Sequence, residues 1–457
     1  MSQGLTGLLH TALDGLAAQS FGLQVTGQNI TNVNTPGYAR RDPQLQTRGQ
    51  GLTGVDVTGM RRVTDAVVER RQLQTNGLAS AASERDSQLS RLEALFDDAG
   101  GSGLGDALSA FYGSFSGLAN NPTDPTARAN VLARAEALTG RIRSTADEVA
   151  TGRNDLLTKA QDVVKDVNER AGQLVKLNQQ IVQVRAAGGD TSNLEDQRQQ
   201  VLLGLAPLID VTTITQESGA MIVQASGTTL VDELSARTLS IDLAPGGDLR
   251  LLAQTSGGSA TDVSKYLTGG KLAGIKEARD VDFKQIATNL DAFALGVANQ
   301  VNAQHTAGFG LDGVGNRAFF DVSGGNARTL KLSSQVAGNP NALAAASTAT
   351  TAPGGSDNAV LLSRLSLQPA VGSRPPTEAY SDLVGDVGQR KRSAADNLVV
   401  RDAVAAQVTA MRESTSGVSL DEEMVALSKY QRAYEASAKV ISTVDQLLEE
   451  LIARLGR

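Results

Sequence analysis

The sequence predicts an α+β protein of several domains: paired coiled-coil helices at both ends, a long helical domain, and inserted antiparallel β-domains. Three observations predict this class. Apolar residues follow heptad spacing near both ends, a long stretch without proline has a helical pattern, and a middle region alternates Thr, Val and Ile with polar residues. The chain has 457 residues. That exceeds one typical core, so we expect about two to four domains.

The N-terminal helix is predicted by apolar residues that recur every seven positions, as in a coiled-coil seam. These seam residues are Leu9, Leu16, Leu23 and Ile30. An isolated helix cannot bury such a seam, so the pattern predicts a partner helix.

The run "NITNVNTPGYARR" follows this seam and ends the helix. Pro36 cannot continue a helix, and Gly37 permits the left-handed backbone that closes helix ends. Tyr38 is expected to bury its ring at the turn and keep its hydroxyl at a polar edge. Three asparagines are expected to hydrogen-bond backbone groups at the break: Asn29, Asn32 and Asn34.

The middle of the chain changes period twice. A strand-like piece and a polar helix from about Leu78 to Phe96 come first, followed by a proline-free pattern that predicts a helix of about 60 residues, roughly 90 Å long. Strands are predicted after Leu208 and a helix from about Leu272 to Gln304. Turns and further strands follow, and then a helix from about Tyr380 to Arg412.

The last helix is predicted from Leu420 to Leu455, opened by Ser419 and Glu422 in a capping-box arrangement. The acids of "DEE" complement the helix dipole, which argues against a pair of catalytic carboxylates. Packing of this helix on its own domain is the alternative to a role in assembly. The seam on this helix is formed by Leu420, Met424, Leu427, Tyr434, Ile441 and Leu448.

These elements predict four groups of residues. Residues 1–45 and 417–457 are the two halves of an inner coiled-coil domain. Residues 46–207, with 270–304 and 380–416, form the long-helix domain. Residues 208–269 and 305–379 form an inserted, β-rich outer domain.

Composition and motifs exclude several function classes. A net charge of −7 offers no general basic surface for nucleic acid, and the absence of cysteine removes disulfides and thiolate chemistry. No apolar run is long enough to cross a membrane. His10 and His305, the only histidines, lack a carboxylate cluster at metal-ligand spacing, and "GFGLDG" lacks the strand–loop–helix context of a dinucleotide site. We therefore predict no catalytic residues, no cofactor and no metal.

Both ends of the chain resemble a known family. "NITNVNTPGYARR" is similar to the N-terminal signature of bacterial flagellar axial proteins, and "GVSLDEEMVALSKYQRAYEASAKVISTVDQLLEELI" is similar to their C-terminal signature. Tyr38 followed by Arg40, and Tyr430 before Gln431, resemble the members found between hook and filament.

The resemblance implies a structural subunit that joins hook to filament and polymerises through its terminal helices. The implied partners are further copies of the chain, the hook protein, a second junction protein, and an export chaperone at the C-terminal helix. The resemblance also implies export to the flagellum by the type III route without a cleavable signal, and the N-terminal run agrees with this because it has no basic leader or small-residue cleavage site. A hook or distal-rod subunit is the main alternative, and an adhesin or extracellular enzyme displayed by the β-insert is another.

Overall fold

The computed structural model describes residues 2–35, 37–48, 54–97 and 103–455. The helices are α1 (Ser2–Thr31), α2 (Ala66–Ala94), α3 (Leu104–Asn120), α4 (Pro125–Ala186), α5 (Ser192–Leu205), α6 (Gly270–Glu277), α7 (Lys284–Thr306), α8 (Asp357–Arg364), α9 (Pro376–Ser416) and α10 (Leu420–Leu455). The predicted α+β class, with long helices at both ends, is confirmed.

The strands form small antiparallel sheets between the terminal helices. They are β1 (Arg41–Thr47), β2 (Val55–Arg62), β3 (Thr212–Thr215), β4 (Met221–Ala225), β5 (Thr228–Val231), β6 (Thr238–Leu243), β7 (Leu249–Gln254), β8 (Thr261–Asp262), β9 (Phe320–Asp321) and β10 (Lys331–Leu332). They pair as β1–β2, β3–β4–β5, β6–β7–β8 and β9–β10.

Helix α4 is the spine of the molecule. It runs for 62 residues, which corresponds to about 93 Å at 1.5 Å per residue. Asp124 caps its start by accepting a hydrogen bond from the Thr126 N–H (2.9 Å), and Pro125 supplies a preset first turn. Gly188, in the left-handed region at φ 71°, follows its end. The other domains are arranged along this helix.

Helix α2 begins twelve residues before the predicted position of Leu78. Asp65 caps it, with Oδ1 accepting from the N–H groups of Val67 (2.8 Å) and Val68 (3.2 Å). The first half of α2 gave little hydrophobic signal because the residues that it buries are Gln72, Leu73, Thr75 and Gly77, of which only Leu73 is large and apolar. Gly77 allows close approach, since a Cβ there would lie 3.1 Å from the Ala206 carbonyl oxygen.

Two asparagines of α4 dock the three-stranded sheets. Asn168 donates to the Leu239 carbonyl oxygen (2.8 Å) and accepts from the Leu239 N–H (2.9 Å). Asn178 makes the same pair of bonds with Met221, at 2.8 Å and 3.1 Å. Each side-chain amide thus takes the place of a neighbouring strand and satisfies both backbone groups of one residue.

Segment 305–379 differs from the prediction that grouped it with 208–269 as one β-rich domain. It contains two strands of two residues each, α8, and short helical turns. It packs near the start of α4, where buried Arg128 donates to the carbonyl oxygens of Pro340 (3.1 Å) and Leu343 (3.0 Å). The Gly- and Thr-rich runs that suggested strands instead form turns, as where Thr348 caps a helical turn over Ala349–Thr351.

A π-helical segment, Ala278–Phe283, joins α6 to α7. Its wide turn places fully buried Asp282 between two other helices. The Asp282 carboxylate accepts two bonds from Arg85 of α2 (2.8 and 3.0 Å) and one from Arg390 of α9 (3.2 Å). This ion cluster holds together α2, α9 and the segment that joins α6 to α7.

Candidate assembly interface

Helices α1 and α10 pack against each other in antiparallel orientation. A Cβ placed on Gly15 would lie 3.2 Å from Ser437 Oγ, and one placed on Gly22 would lie 2.7 Å from the Tyr430 ring. Asn29 hydrogen-bonds Glu423 further along (3.1 Å). The contacts step by seven residues on both helices while the numbering runs in opposite directions, as in an antiparallel coiled coil.

The closest approaches of α1 to α10 are at glycines, Gly15 and Gly22. The buried apolar side chains on this helix are Ala12, Ala18 and Val25. Sequence analysis placed the seam on larger residues, and these are half-buried in the single chain: Leu9, Leu16, Leu23 and Ile30. On α10, Leu427, Ile441 and Leu448 are half-buried, whereas Leu420, Met424 and Tyr434 are exposed. Their burial in an assembly stays a prediction.

The predicted turn at the end of α1 forms a buried polar cluster centred on Asn29. The Asn29 Oδ1 accepts from the Tyr38 hydroxyl (2.8 Å) and the Arg41 N–H (3.0 Å), and its Nδ2 donates to the Arg41 carbonyl oxygen (2.9 Å) and Glu423 Oε2 (3.1 Å). All four hydrogen-bonding positions of the amide are therefore used. Asn29 connects α1, its own exit turn and the start of α10.

Tyr38 fills the centre of this turn. Its side chain is buried, the Arg41 guanidinium lies 5.0 Å from its ring centroid, and burial raises the pKa of its hydroxyl to about 12. The hydroxyl is thus a neutral donor to Asn29 at physiological pH. This arrangement agrees with the expected burial of the ring, while the hydroxyl bonds a buried amide.

The other predicted turn residues have smaller parts. Asn32 donates to the Gln28 carbonyl oxygen (2.9 Å), and Asn34 is exposed. Gly37 has φ 81°, and a Cβ there would lie 3.0 Å from Gln200 Cγ, so both its conformation and its surroundings favour glycine. Pro36 lies outside the described residues.

Arginines that sequence analysis did not single out fix the terminal pair to the rest of the chain. Arg40 donates to Glu423 (3.0 Å) and Glu422 (3.2 Å), and its N–H donates to the Ser416 carbonyl oxygen (2.9 Å). Arg412 of α9 donates to the Tyr38 carbonyl oxygen (2.8 Å). The two carboxylates assigned to the helix start in sequence thus bind an arginine 382 and 383 positions away.

Residues of helix α5 bind the cluster around Asn29 from its other side. Arg41 donates to Asn193 (2.8 Å) and forms a close ion pair with Asp196, whose second oxygen accepts from Arg62 Nε (2.8 Å). Asp196 and Arg41 are both buried, so removing either would leave an uncompensated charge. The only sequence signal for these contacts was the pair of adjacent arginines, Arg40 and Arg41, that follows "PGYA".

The remaining sequence candidates have structural roles. His305 is buried, Nε2 accepting from the Ala344 N–H (3.0 Å) and Nδ1 lying 2.7 Å from the Arg317 carbonyl oxygen. "GFGLDG" forms a tight turn closed by bonds between Gly310 and Val314 and between Gly313 and Gly310. Among the described residues, no group of three or more His, Cys, Asp or Glu side chains is arranged to hold a metal ion.

The outer faces of the terminal helices expose many apolar side chains. Val425 is 71% exposed, Ile452 70% and Met424 56%. The other large exposed apolar residues of these helices are Leu8, Leu13, Leu420, Tyr434, Val440 and Leu447. In the described part of the chain, no helix is both long and apolar enough to span a membrane. These faces are suited to contacts with other proteins.

A long helical spine, first and last helices that pair, and small sheets docked along the spine define a class of elongated structural proteins. The model of the flagellar hook-associated protein FlgK helical domain matches residues 89–320. The model of the flagellar basal body rod FlgEFG protein C-terminal region matches residues 412–455. The chain therefore belongs to the FlgK family of flagellar hook-associated proteins.

Relatives match along nearly the whole chain. Flagellar hook-associated protein 1 of Bacillus subtilis is 25% identical over 98% of this chain and 98% of its own length. The Salmonella typhimurium protein of the same name is 26% identical over 98% of this chain and 100% of its own length. The flagellar hook junction protein FlgK from Burkholderia pseudomallei has the same fold, with a TM-score of 0.67 at 16% identity, over 77% of this chain and 100% of that one.

Membership of this family confirms the resemblance and gives the role. The chain is a structural protein of the bacterial flagellum and belongs to the junction between hook and filament.

Proposed function

We propose that the chain polymerises within the hook–filament junction through the α1/α10 pair, with the outer apolar faces of both helices packed against neighbouring copies. The exposed apolar residues on these faces, with Val425 the most exposed at 71%, carry this proposal. The large apolar side chains of the two helices are mostly half-buried or exposed in the single chain, so they remain available to neighbours. A head-to-tail contact of this kind need not close on itself and can build a tube.

The same surface supports the proposed partners. A copy at either end of the assembly contacts a different protein on its outer side. We assign these two proteins as the hook protein and a second junction protein. Before assembly, the exposed face of α10 requires cover, which supports an export chaperone at this helix. Export to the flagellum without a cleavable signal is part of the same proposal.

The test replaces Val425 with Asp. In the monomer this side chain is in solvent, so we expect the melting temperature to stay within about 1 °C, as for ordinary surface substitutions. In the assembly the carboxylate would be buried without a partner, at a cost of several kcal/mol. We therefore expect loss of filaments in cells that lack the native copy, measured by electron microscopy together with the amount of variant exported.

The matched control is Leu234→Asp. Leu234 is 74% exposed but lies in the loop between β5 and β6, whose backbone is bonded to Gln179 of α4 and not to either terminal helix, so this variant should still support filaments. Leu427 is a weaker choice because it is half-buried against its own chain. Normal filaments with Val425→Asp would contradict the proposal, as would a strongly lowered melting temperature of the monomer.

A further inference from the structure

Two arginines occupy directly opposite positions at the base of the β1–β2 hairpin. Arg41 is the first residue of β1 and Arg62 the last residue of β2, and the two are partners in the antiparallel ladder. Like charges at opposite positions share one face of a sheet and destabilise it. The neighbouring pair carries opposite charges, because Asp42 lies across from Arg61. The Arg41/Arg62 pair therefore needs a counter-charge from outside the hairpin.

That counter-charge is a single carboxylate on α5. Asp196 Oδ2 accepts from Arg41, and Asp196 Oδ1 accepts from Arg62 Nε (2.8 Å), so one carboxylate binds both side chains. Across the residues that the structure describes, no other carboxylate forms an ion pair with Arg41, whose side chain is 3% exposed. Glu195 lies 3.5 Å from Arg62 Nη1 but also pairs with Arg185 (3.2 Å). Without Asp196, the buried Arg41 guanidinium would have no counter-ion.

Asp196 and the two arginines belong to different parts of the molecule. The hairpin is fixed to α1 at this point, because Asn29 binds the N–H (3.0 Å) and the carbonyl oxygen (2.9 Å) of Arg41. Helix α5 is fixed to α4, where Arg198 donates to Asn178 Oδ1 (3.2 Å). The charge balance at the hairpin base thus depends on an element of the long-helix body.

We propose that Asp196 couples closure of the hairpin base to the docking of α5. Asn29 holds the backbone of Arg41 whether or not α5 is docked, so the β2 side of the base is the side that opens. The Val63 N–H, which donates to the Arg40 carbonyl oxygen (2.8 Å), is then released. The exit turn of α1 is therefore completed only on a chain whose α4 and α5 are in place. This coupling belongs to the single chain and does not depend on polymerisation.

The test begins with Asp196→Asn in the full-length soluble protein. This substitution keeps the shape of the side chain and removes its charge, so Arg41 and Arg62 face each other without a counter-ion. We expect the amides of residues 60–64 to exchange hydrogen about tenfold faster, or more, than in the native chain. Exchange in α4 should be unchanged.

Arg62→Gln separates the effect of charge from the loss of a contact. In the native background Asp196 still pairs with Arg41, so exchange of residues 60–64 should change by less than about threefold. In the Asp196→Asn background the same substitution removes one of two facing charges, and exchange should return to within about threefold of native. A change that is nearly neutral in one background and restores protection in the other is the signature of coupling through charge.

Asp42→Asn is the matched control, because it turns a carboxylate into an amide on the neighbouring pair of the same hairpin. It should leave exchange of residues 60–64 unchanged. Native exchange in Asp196→Asn would overturn the inference, and so would failure of Arg62→Gln to restore protection. Faster exchange in α4 with Asp196→Asn would also overturn it, because Asp196 would then belong to a common core. These assays use the soluble protein, so their outcome is separate from that of the filament test.

Discussion

At the scale of single residues, His305 is a titratable group that burial and two hydrogen bonds hold in its neutral form. Nε2 accepts from a backbone N–H, so Nδ1 must carry the proton and donate to the Arg317 carbonyl oxygen. The ring also packs edge-on against Phe319. A charged imidazole would lose the bond at Nε2, so the site requires the neutral form.

This requirement predicts a pH dependence of stability. Burial lowers the pKa of His305 from 6.5 to about 4 in the folded protein. Between these values the unfolded chain binds a proton that the folded chain does not, so stability is complete above pH 6.5 and falls as pH falls toward 4. The slope from this group is at most about 1.4 kcal/mol per pH unit.

The measurement is urea unfolding between pH 5 and 7. We expect His305→Gln to be less stable overall but to show a flatter dependence on pH than the native chain. His10→Gln is the control, since His10 is exposed and this variant removes a histidine without touching the buried site. Equal slopes in the two variants would contradict the assignment.

At the scale of elements, the terminal pair and the central spine differ in what they bury. Helix α4 buries large side chains along much of its length, including Leu138, Val149 and Leu174, whereas α1 buries mainly alanine, glycine and a single valine. Apolar burial is worth about 25 cal/mol per Å². The terminal pair should therefore open far more readily than the spine.

Hydrogen exchange should reveal this difference in the soluble monomer. We expect amides of residues 9–30 to exchange at least a hundredfold faster than those of residues 138–184, because the pair can separate without global unfolding. A disulfide between cysteines placed at Gly15 and Ser437, which are in contact across the pair, should slow hydrogen exchange in α1 and leave exchange in α4 unchanged. Equal protection of the two segments in the native chain would show that the pair is part of the cooperative core.

The sequence predicted elements better than it predicted contacts. Helix α10 was predicted at its observed bounds because Ser419 and the acids after it mark a start, and heptad spacing continues to the end. The face of α1 that meets α10 was not predicted, because Gly15 and Gly22 carry no hydrophobic signal although they allow the closest approach. The binding of Arg40 to Glu423 was also out of reach, since no local rule links positions 383 residues apart.

At the scale of the whole molecule, the β-sheets of residues 212–262 form an appendage. The chain segments that lead into it and out of it lie next to each other. Lys271 N–H donates to the Pro207 carbonyl oxygen (2.8 Å), and a Cβ placed on Gly269 would lie 3.4 Å from Asp210 Cβ. The chain thus leaves and rejoins the helical body at one point. Residues 211–268 can be removed there with little strain on the remainder.

We predict that a deletion of residues 211–268, closed by a short Gly/Ser linker, is exported and still supports filaments. Its melting temperature should fall by several degrees, because Val164 and its neighbours on α4 lose their cover beside Leu239 and Ile241. Cooperative unfolding of the deleted protein is the control for an intact body. Loss of filaments with normal export and a folded body would show that this appendage takes part in joining hook to filament.

The antiparallel pairing of α1 with α10 also sets the order in which parts of the protein can fold. Helices α2 to α9 lie between the two partners along the chain, so their contact closes one of the longest loops that the sequence permits. However the chain is delivered, whether from a ribosome or through a narrow channel, α1 must wait for α10 to arrive. During that interval the central body can fold around α4, while the surface of α1 stays unmatched. The arrival of α10 is thus the step that makes the subunit ready to join its neighbours.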